Sequence, residues 1–218
     1  LQQGAPSTPA GQGAWISDVF INTNNSRSFR HIPDGPYDKM ELLRKGADLL
    51  KRMQRGEPFA AGEIVRDRHH INNWPFNETL PPVILFGWVA LHRDVAAVFS
   101  RFDPGQGRLH PIRLIDNDRR KVISEDYSIL TPGNAADTLD LDRSTSVKRQ
   151  QFLDKQFYIH ETVPKPGTFV LRPGFGMGPD FWVDSRVFNA FFLSDRLVAA
   201  LAAEKLDRHF GLRRCVPG

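Results

Sequence analysis

Two periodicities run along this chain, and one pattern occurs twice. Phe86-Gly87-Trp88-Val89-Ala90-Leu91 is a short apolar run, His92-Arg93-Asp94 breaks it, and Val95-Ala96-Ala97-Val98-Phe99 continues at helical spacing. Phe191-Phe192-Leu193, Ser194-Asp195-Arg196 and Leu197-Val198-Ala199-Ala200-Leu201 repeat that plan. Leu91 aligns with Leu193, Val95 with Leu197, Ala97 with Ala199 and Phe99 with Leu201. A strand–helix unit used twice suggests a scaffold, since neither copy carries reactive chemistry.

Elsewhere the pattern predicts further elements. Trp15 to Ile21 reads as a first strand, and Asn22 to Pro36 is turn-rich. Asp38 to Gln54 reads as a helix, with Met40, Leu42, Leu43, Ala47, Leu49, Leu50 and Met53 at helical spacing. Asp38 is its N-cap and Gly56 its stop. Residues 57–80 are the least regular, with a short strand at Glu63-Ile64-Val65 and a loop from His69 to Pro75. After the Pro81-Pro82 break and the first strand–helix unit, Asp103 to Gly107 forms a turn. His110–Asp116 and Lys121–Leu130 then flank Asn117-Asp118-Arg119 as a hairpin.

Further strands are expected at Asp137–Arg143, Gln151–His160, Gly167–Arg172, Phe181–Val183 and Phe210–Val216, with a glycine-rich loop from Gly174 to Pro179. The sum predicts an α+β fold: a mixed or antiparallel sheet with a few packed helices. Residues 14–218 are expected to form a single domain, with 14–80 a possible N-terminal subdomain.

Composition adds bounds. The 218 residues can bury a sizeable core, and sixteen Phe and four Trp supply it generously. The apolar stretch around Val83 to Leu91 is far shorter than a membrane span, so no membrane partner is expected. Net charge is +4, from 29 basic and 25 acidic residues, in small clusters such as Arg119-Arg120-Lys121 and Arg213-Arg214. Nucleic-acid binders gather such charge into a stripe with stacking aromatics, so nucleic acid is not the expected partner. An acidic protein surface suits a basic chain equally well.

The single Cys215 allows no disulfide within the chain and fits a reducing cytoplasm. Residues 1–13 read as a flexible tail with no visible signal peptide. Leu1 is not Met, so the true start is expected upstream, and a cleaved leader stays open.

Candidate chemistry is sparse. His69-His70 are adjacent, which sends their rings to opposite sides of an extended chain, whereas zinc sites use His pairs at i and i+4. Asp137, Asp140 and Asp142 are interrupted by Leu139 and Leu141 and lack the glycine of a calcium loop. Gly174-Phe175-Gly176-Met177-Gly178 lacks the Lys-Ser/Thr of a phosphate loop. Ser124 and Ser194 lack the Gly-x-Ser-x-Gly context of a nucleophile elbow. No metal and no cofactor is expected.

Three stretches resemble the immunity protein 11 family, antidotes encoded beside toxins in bacterial polymorphic-toxin and contact-dependent competition systems. They are FGWVALHRDVAAVFSRFD, HPIRLIDNDRRKVISEDYSILTPGNAADTLDLDRS and DFWVDSRVFNAFFLSDRLVAALAAEKLDRHF, within residues 83–216. The Ser194-Asp195-Arg196-Leu197 order looks like the family's ending, whereas His92-Arg93-Asp94 departs from it. The resemblance implies a non-enzymatic protein that binds a cognate toxin and blocks it. Anchors for such an interface are expected in the irregular stretches: Trp74, Phe76, Phe175, Met177, Phe181 and Trp182. The alternative is a hydrolase reversing a toxin's covalent modification, with His69, His160, Asp126 and Glu161 gathered into a pocket.

Overall fold

A computed structural model describes residues 13–33, 36–72, 74–152, 155–160, 168–176 and 178–218. In chain order the elements begin with β1 (Ala14–Ser17), β2 (Phe29–Arg30), α1 (Lys39–Gln54), β3 (Asp67–His70), β4 (Val83–Leu85), β5 (Val89–His92) and α2 (Arg93–Phe99). The long hairpin β6 (Arg108–Ile115) and β7 (Val122–Thr131) follows, then β8 (Val147–Phe152) and β9 (Lys155–His160). The chain closes with β10 (Phe181–Val183), β11 (Val187–Phe188), β12 (Phe191–Ser194), α3 (Asp195–Ala203) and β13 (Leu212–Arg214). The fold is α+β and rich in strands.

Local chemistry explains the helix ends. The Asp38 carboxylate accepts from Met40 N at 2.7 Å and Glu41 N at 3.3 Å, so α1 starts where its cap predicts. His92 caps α2 through Nδ1, 3.4 Å from Asp94 N, and Ser194 caps α3 through Oγ, 3.2 Å from Leu197 N. The imidazole thus does at the first unit what the hydroxyl does at the second.

Several elements differ from expectation. The WISDVFI strand stops at Ser17, because Asp18 O accepts from Ile21 N and Asn22 N and turns the chain. Residues 61–63 form a turn, while Asp67–His70, which includes the expected His69-His70 loop, is a strand paired in parallel with β6. Gln151–His160 divides between two antiparallel strands, β8 and β9. Asp137–Arg143 is a loop with one bridge, Leu139 to Leu171. Within Gly167–Arg172, Gly167 lies outside the described residues, and Val170 and Leu171 form isolated bridges.

Three sheets result, in the orders β2-β3-β6-β7-β5-β4, β10-β12-β1-β13 and β11-β9-β8. The two sequence repeats share one topology. In the first, β4-β5-β7-β6 lie side by side, all antiparallel, with α2 leaving β5. In the second, β10-β12-β1-β13 do the same, with α3 leaving β12. Registers agree: Val83 faces Leu91 as Phe181 faces Leu193, and Leu91 faces Ser128 as Leu193 faces Trp15. Even the turn before each cap matches, with Gly87 (φ 80°) and Asn189 (φ 58°) both left-handed. The chain order differs: β1, from the N-terminus, takes the place that β7 holds by following β6, and β11 of another sheet lies between β10 and β12. The second unit is a circular permutation of the first.

The four-stranded sheet is covered on both faces. Phe181, Val183, Phe191 and Leu193 join the larger core with α2, α3 and the six-stranded sheet. Trp182, Phe192, Ala14 and Ile16 face a second core with Leu139, Phe169, Leu171 and Cys215. Burial on both faces is why Phe181-Trp182-Val183 and Phe191-Phe192-Leu193 are apolar throughout and do not alternate.

Candidate functional site

Of the six expected anchors, the structure presents Trp74 most openly, with 79% of its surface exposed. Phe76 is turned inward, 5.8 Å from the Phe29 ring and edge-on to His70 at 5.2 Å. Phe175 is half-buried and stacks on Trp182 at 5.8 Å. Met177 lies outside the described residues. Phe181 and Trp182 are core residues: Phe181 packs on Phe99 and Phe191, and Trp182 Nε1 donates to Thr138 Oγ1 at 2.7 Å. Their strand is short, but both its faces are covered, so a partner does not reach these rings without rearrangement.

The chain around Trp74 is pinned to the six-stranded sheet. Ile71 N donates to Ser28 O at 3.0 Å, Asn117 Nδ2 donates to Asn72 O at 3.0 Å, and Phe76 N donates to both oxygens of buried Asp116. These bonds set the loop over the β6–β7 turn. Ile71 continues β3 beyond His69, whose partner on β6 is Ile115, and Ile115 faces Val122 on β7. Ile71 (42% exposed) and Val122 (45%) therefore stand with Trp74 at one end of the sheet.

Cations border this patch. Arg119, Arg120 and Lys121 occupy the exposed turn, and no side-chain ion pair engages them among the described residues. Asp118, the acid in that turn, accepts from Arg120 N (2.9 Å) and Lys121 N (3.2 Å), which hold its carboxyl below the usual range. Its charge orders the turn and leaves the three side chains pointing to solvent. That Ile71 and Val122 share one end of the sheet was not legible in the sequence, because only the β3–β6–β7 pairing brings their strands side by side.

Behind the loop opens a cleft of about 380 Å³ lined by Phe76, Glu78, Leu80, His92, Lys121, Ile123, Ser124 and Tyr127. Tyr127 donates its hydroxyl to Pro81 O at 2.8 Å, and burial pushes the phenol up to about 12. Glu78 is paired with Arg27 at 3.3 Å, and His92 Nδ1 lies 3.1 Å from Asp94.

The residues of the hydrolase alternative are set apart. His69 is on the six-stranded sheet and His160 on the three-stranded one beside Phe169. Asp126 is paired with Arg93 at 3.2 Å, and Glu161 lies outside the described residues. Among the described residues, no three His, Cys, Asp or Glu side chains gather as metal ligands would. Asp137 pairs with Arg172 and Arg186, and Asp140 caps its own turn through Asp142 N and Arg143 N. Ser194 caps α3, and Ser124 Oγ accepts from Asp126 N. No helix among the described residues is long and apolar enough to cross a membrane.

Cys215 is buried in the second core, and burial pushes its thiol up to about 12 from 9.0. That upward shift leaves about a thousand-fold less thiolate at neutral pH. Alkylation of the native protein is expected to be negligible over hours and rapid once guanidinium unfolds it. Rapid stoichiometric labelling of the folded chain would contradict this placement.

No family model matches the chain, and no curated protein matches it.

Proposed function

We propose that this protein is an antidote that binds a cognate bacterial toxin and neutralises it by direct contact, through the surface around Trp74. One observation carries the reading: a nearly free tryptophan, flanked by exposed Ile71 and Val122 and bordered by Arg119, Arg120 and Lys121. Tryptophan and arginine are the residue types that dominate binding energy at protein interfaces. The unpaired cations favour a partner with an acidic face, by steering its approach and rejecting basic surfaces. The likeness of residues 83–216 to the immunity protein 11 family supplies the class of partner. The protein would act in the cytoplasm, where its single thiol stays reduced.

The test is affinity capture from the native host, with wild type and Trp74→Ala side by side. The wild type is expected to retain one roughly equimolar protein that is toxic alone and silenced by this chain. Trp74→Ala is expected to weaken that complex by at least ~30-fold, the effect of losing a hot-spot residue, with an unchanged melting midpoint. Protection at far below equimolar ratio would overturn the reading in favour of an enzyme that reverses the toxin's modification.

A further inference from the structure

Resting on that reading, we infer that the exposed face of α1 receives an amphipathic helix of the toxin whose flanking positions are acidic. The C-terminal part of α1 fastens it to the domain: Met53 is buried in the larger core, and Leu49 and Leu50 pack against that core. Towards its N-terminus the helix stands clear. Met40 and Leu43 are each 56% exposed, Ala47 is exposed, and a Cβ on Gly46 would enter open space. Written as heptads, Met40 and Ala47 take the first core position and Leu43 and Leu50 the fourth. That is the seam one helix offers another, and Leu49 and Met53 lie on the adjoining stripe. The apolar arc of α1 is therefore wider than the part its own domain covers.

The flanks decide the partner, because the positions beside such a seam choose it by charge. Here they are Lys39 on one side and Arg44 and Lys51 on the other. Among the described residues, neither Lys39 nor Arg44 has a side-chain hydrogen bond or ion pair. The acids of the helix lie off the seam, where Glu41 pairs with Lys45 at 2.7 Å and Asp48 with Lys51 at 3.3 Å. A second copy of α1 would set Lys39 against Arg44 in parallel pairing and Arg44 against Lys51 in antiparallel pairing, like charge against like. A helix with leucines in its seam and Glu or Asp beside them covers Met40 and Leu43 and meets the cations.

Two synthetic three-heptad peptides test this, identical in their leucine seam and carrying either Glu or Lys at every flanking position, titrated by fluorescence anisotropy. The Glu peptide is expected to bind saturably at micromolar concentration, at least ~10-fold more tightly than the Lys peptide. The double variant Met40→Gln/Leu43→Gln, which keeps good helix formers, is expected to weaken that binding at least ~10-fold with an unchanged melting midpoint. Lys39→Glu/Arg44→Glu is expected to lose the preference for the Glu peptide. No saturable binding, equal affinity for the two peptides, or indifference to either double variant would each overturn the inference. So would a dimer in analytical ultracentrifugation, or sedimentation with phosphatidylglycerol vesicles, that Met40→Gln/Leu43→Gln abolishes, since those results give the face to a second copy or to a membrane surface. A Trp74-dependent toxin complex that tolerates Met40→Gln/Leu43→Gln would defeat this inference and leave the antidote reading standing. Glu-peptide binding lost in that variant, with no toxin captured, would defeat the antidote reading and leave the helix-binding face standing.

Discussion

Replacing Asp180 with alanine is expected to cost about 2–4 kcal/mol, from the buried hydrogen bonds it strands, while exposed Arg196 returns to water. The carboxylate is fully buried just before β10. Arg196 grips it with both arms, Nε to Oδ1 at 2.5 Å and a terminal nitrogen to Oδ2 at 2.7 Å. Ser194 Oγ donates to Oδ1, and Asp103 N donates to Oδ2 at 2.8 Å. One side chain thus joins the start of β10 to the cap of α3 and to the turn after α2. Alanine would leave the buried Ser194 hydroxyl without this acceptor, which is the expensive way to lose a hydrogen bond, and would also free the part-buried Asp103 amide.

For a domain of this size, ~2–4 kcal/mol corresponds to a fall of roughly 4–16 °C in the melting midpoint. Calorimetry or a denaturant titration reads it directly. A change of under ~2 °C would show that the network is not what fastens the second unit. The Asp184 carboxylate, bonded to Thr138 N, Leu139 N and Arg186, performs a similar task at the other end of β10. The DFWVD stretch therefore owes both its acids to architecture.

Arg68→Met is expected to do the opposite and raise stability by about 1–3 kcal/mol, the scale on which buried charge yields to apolar packing. Arg68 lies on β3 opposite Leu114 and is buried. Among the described residues no hydrogen bond or ion pair reaches its guanidinium, and its nearest ring is Phe86 at 6.0 Å. Burial alone pulls its pKa down to about 10, below the ordinary arginine value. Methionine keeps the apolar stem of the side chain without its charged head.

The sign with pH follows. Above about pH 10, and up to the ordinary arginine range, the unfolded chain holds the proton that folded Arg68 has released, so the wild-type protein gains stability as pH rises there. The advantage of Arg68→Met should be full below pH 10 and shrink above it. Paired melting curves of both forms at pH 7 and pH 10.5 test both statements. A midpoint lowered by several degrees at pH 7 would show that the guanidinium has a stabilising partner after all.

What the sequence determined by itself is the set of features that a short stretch can enforce. The i, i+3, i+4 spacing of Leu42, Leu49, Leu50 and Met53, together with the Asp38 cap, makes α1 wherever it sits. Two apolar runs with a polar break make both strand–helix units, and Asn117-Asp118-Arg119 makes the β6–β7 hairpin. Tertiary structure alone decided the rest, because those choices depend on partners far away in the chain. Asp67-Arg68-His69-His70 has no strand pattern of its own and becomes β3 only by pairing with β6.

The resemblance of Phe181 and Trp182 to loop anchors dissolves once β12 and the loop at Leu139 cover both sides of their strand. The closure of the second unit by β1 joins residues about 180 positions apart, as the Trp15–Asp195 hydrogen bond records. The candidate surface is of the same kind. Trp74 stood out by type, but Ile71, Val122 and the cleft were assembled by pairing across three strands, which no local period encodes.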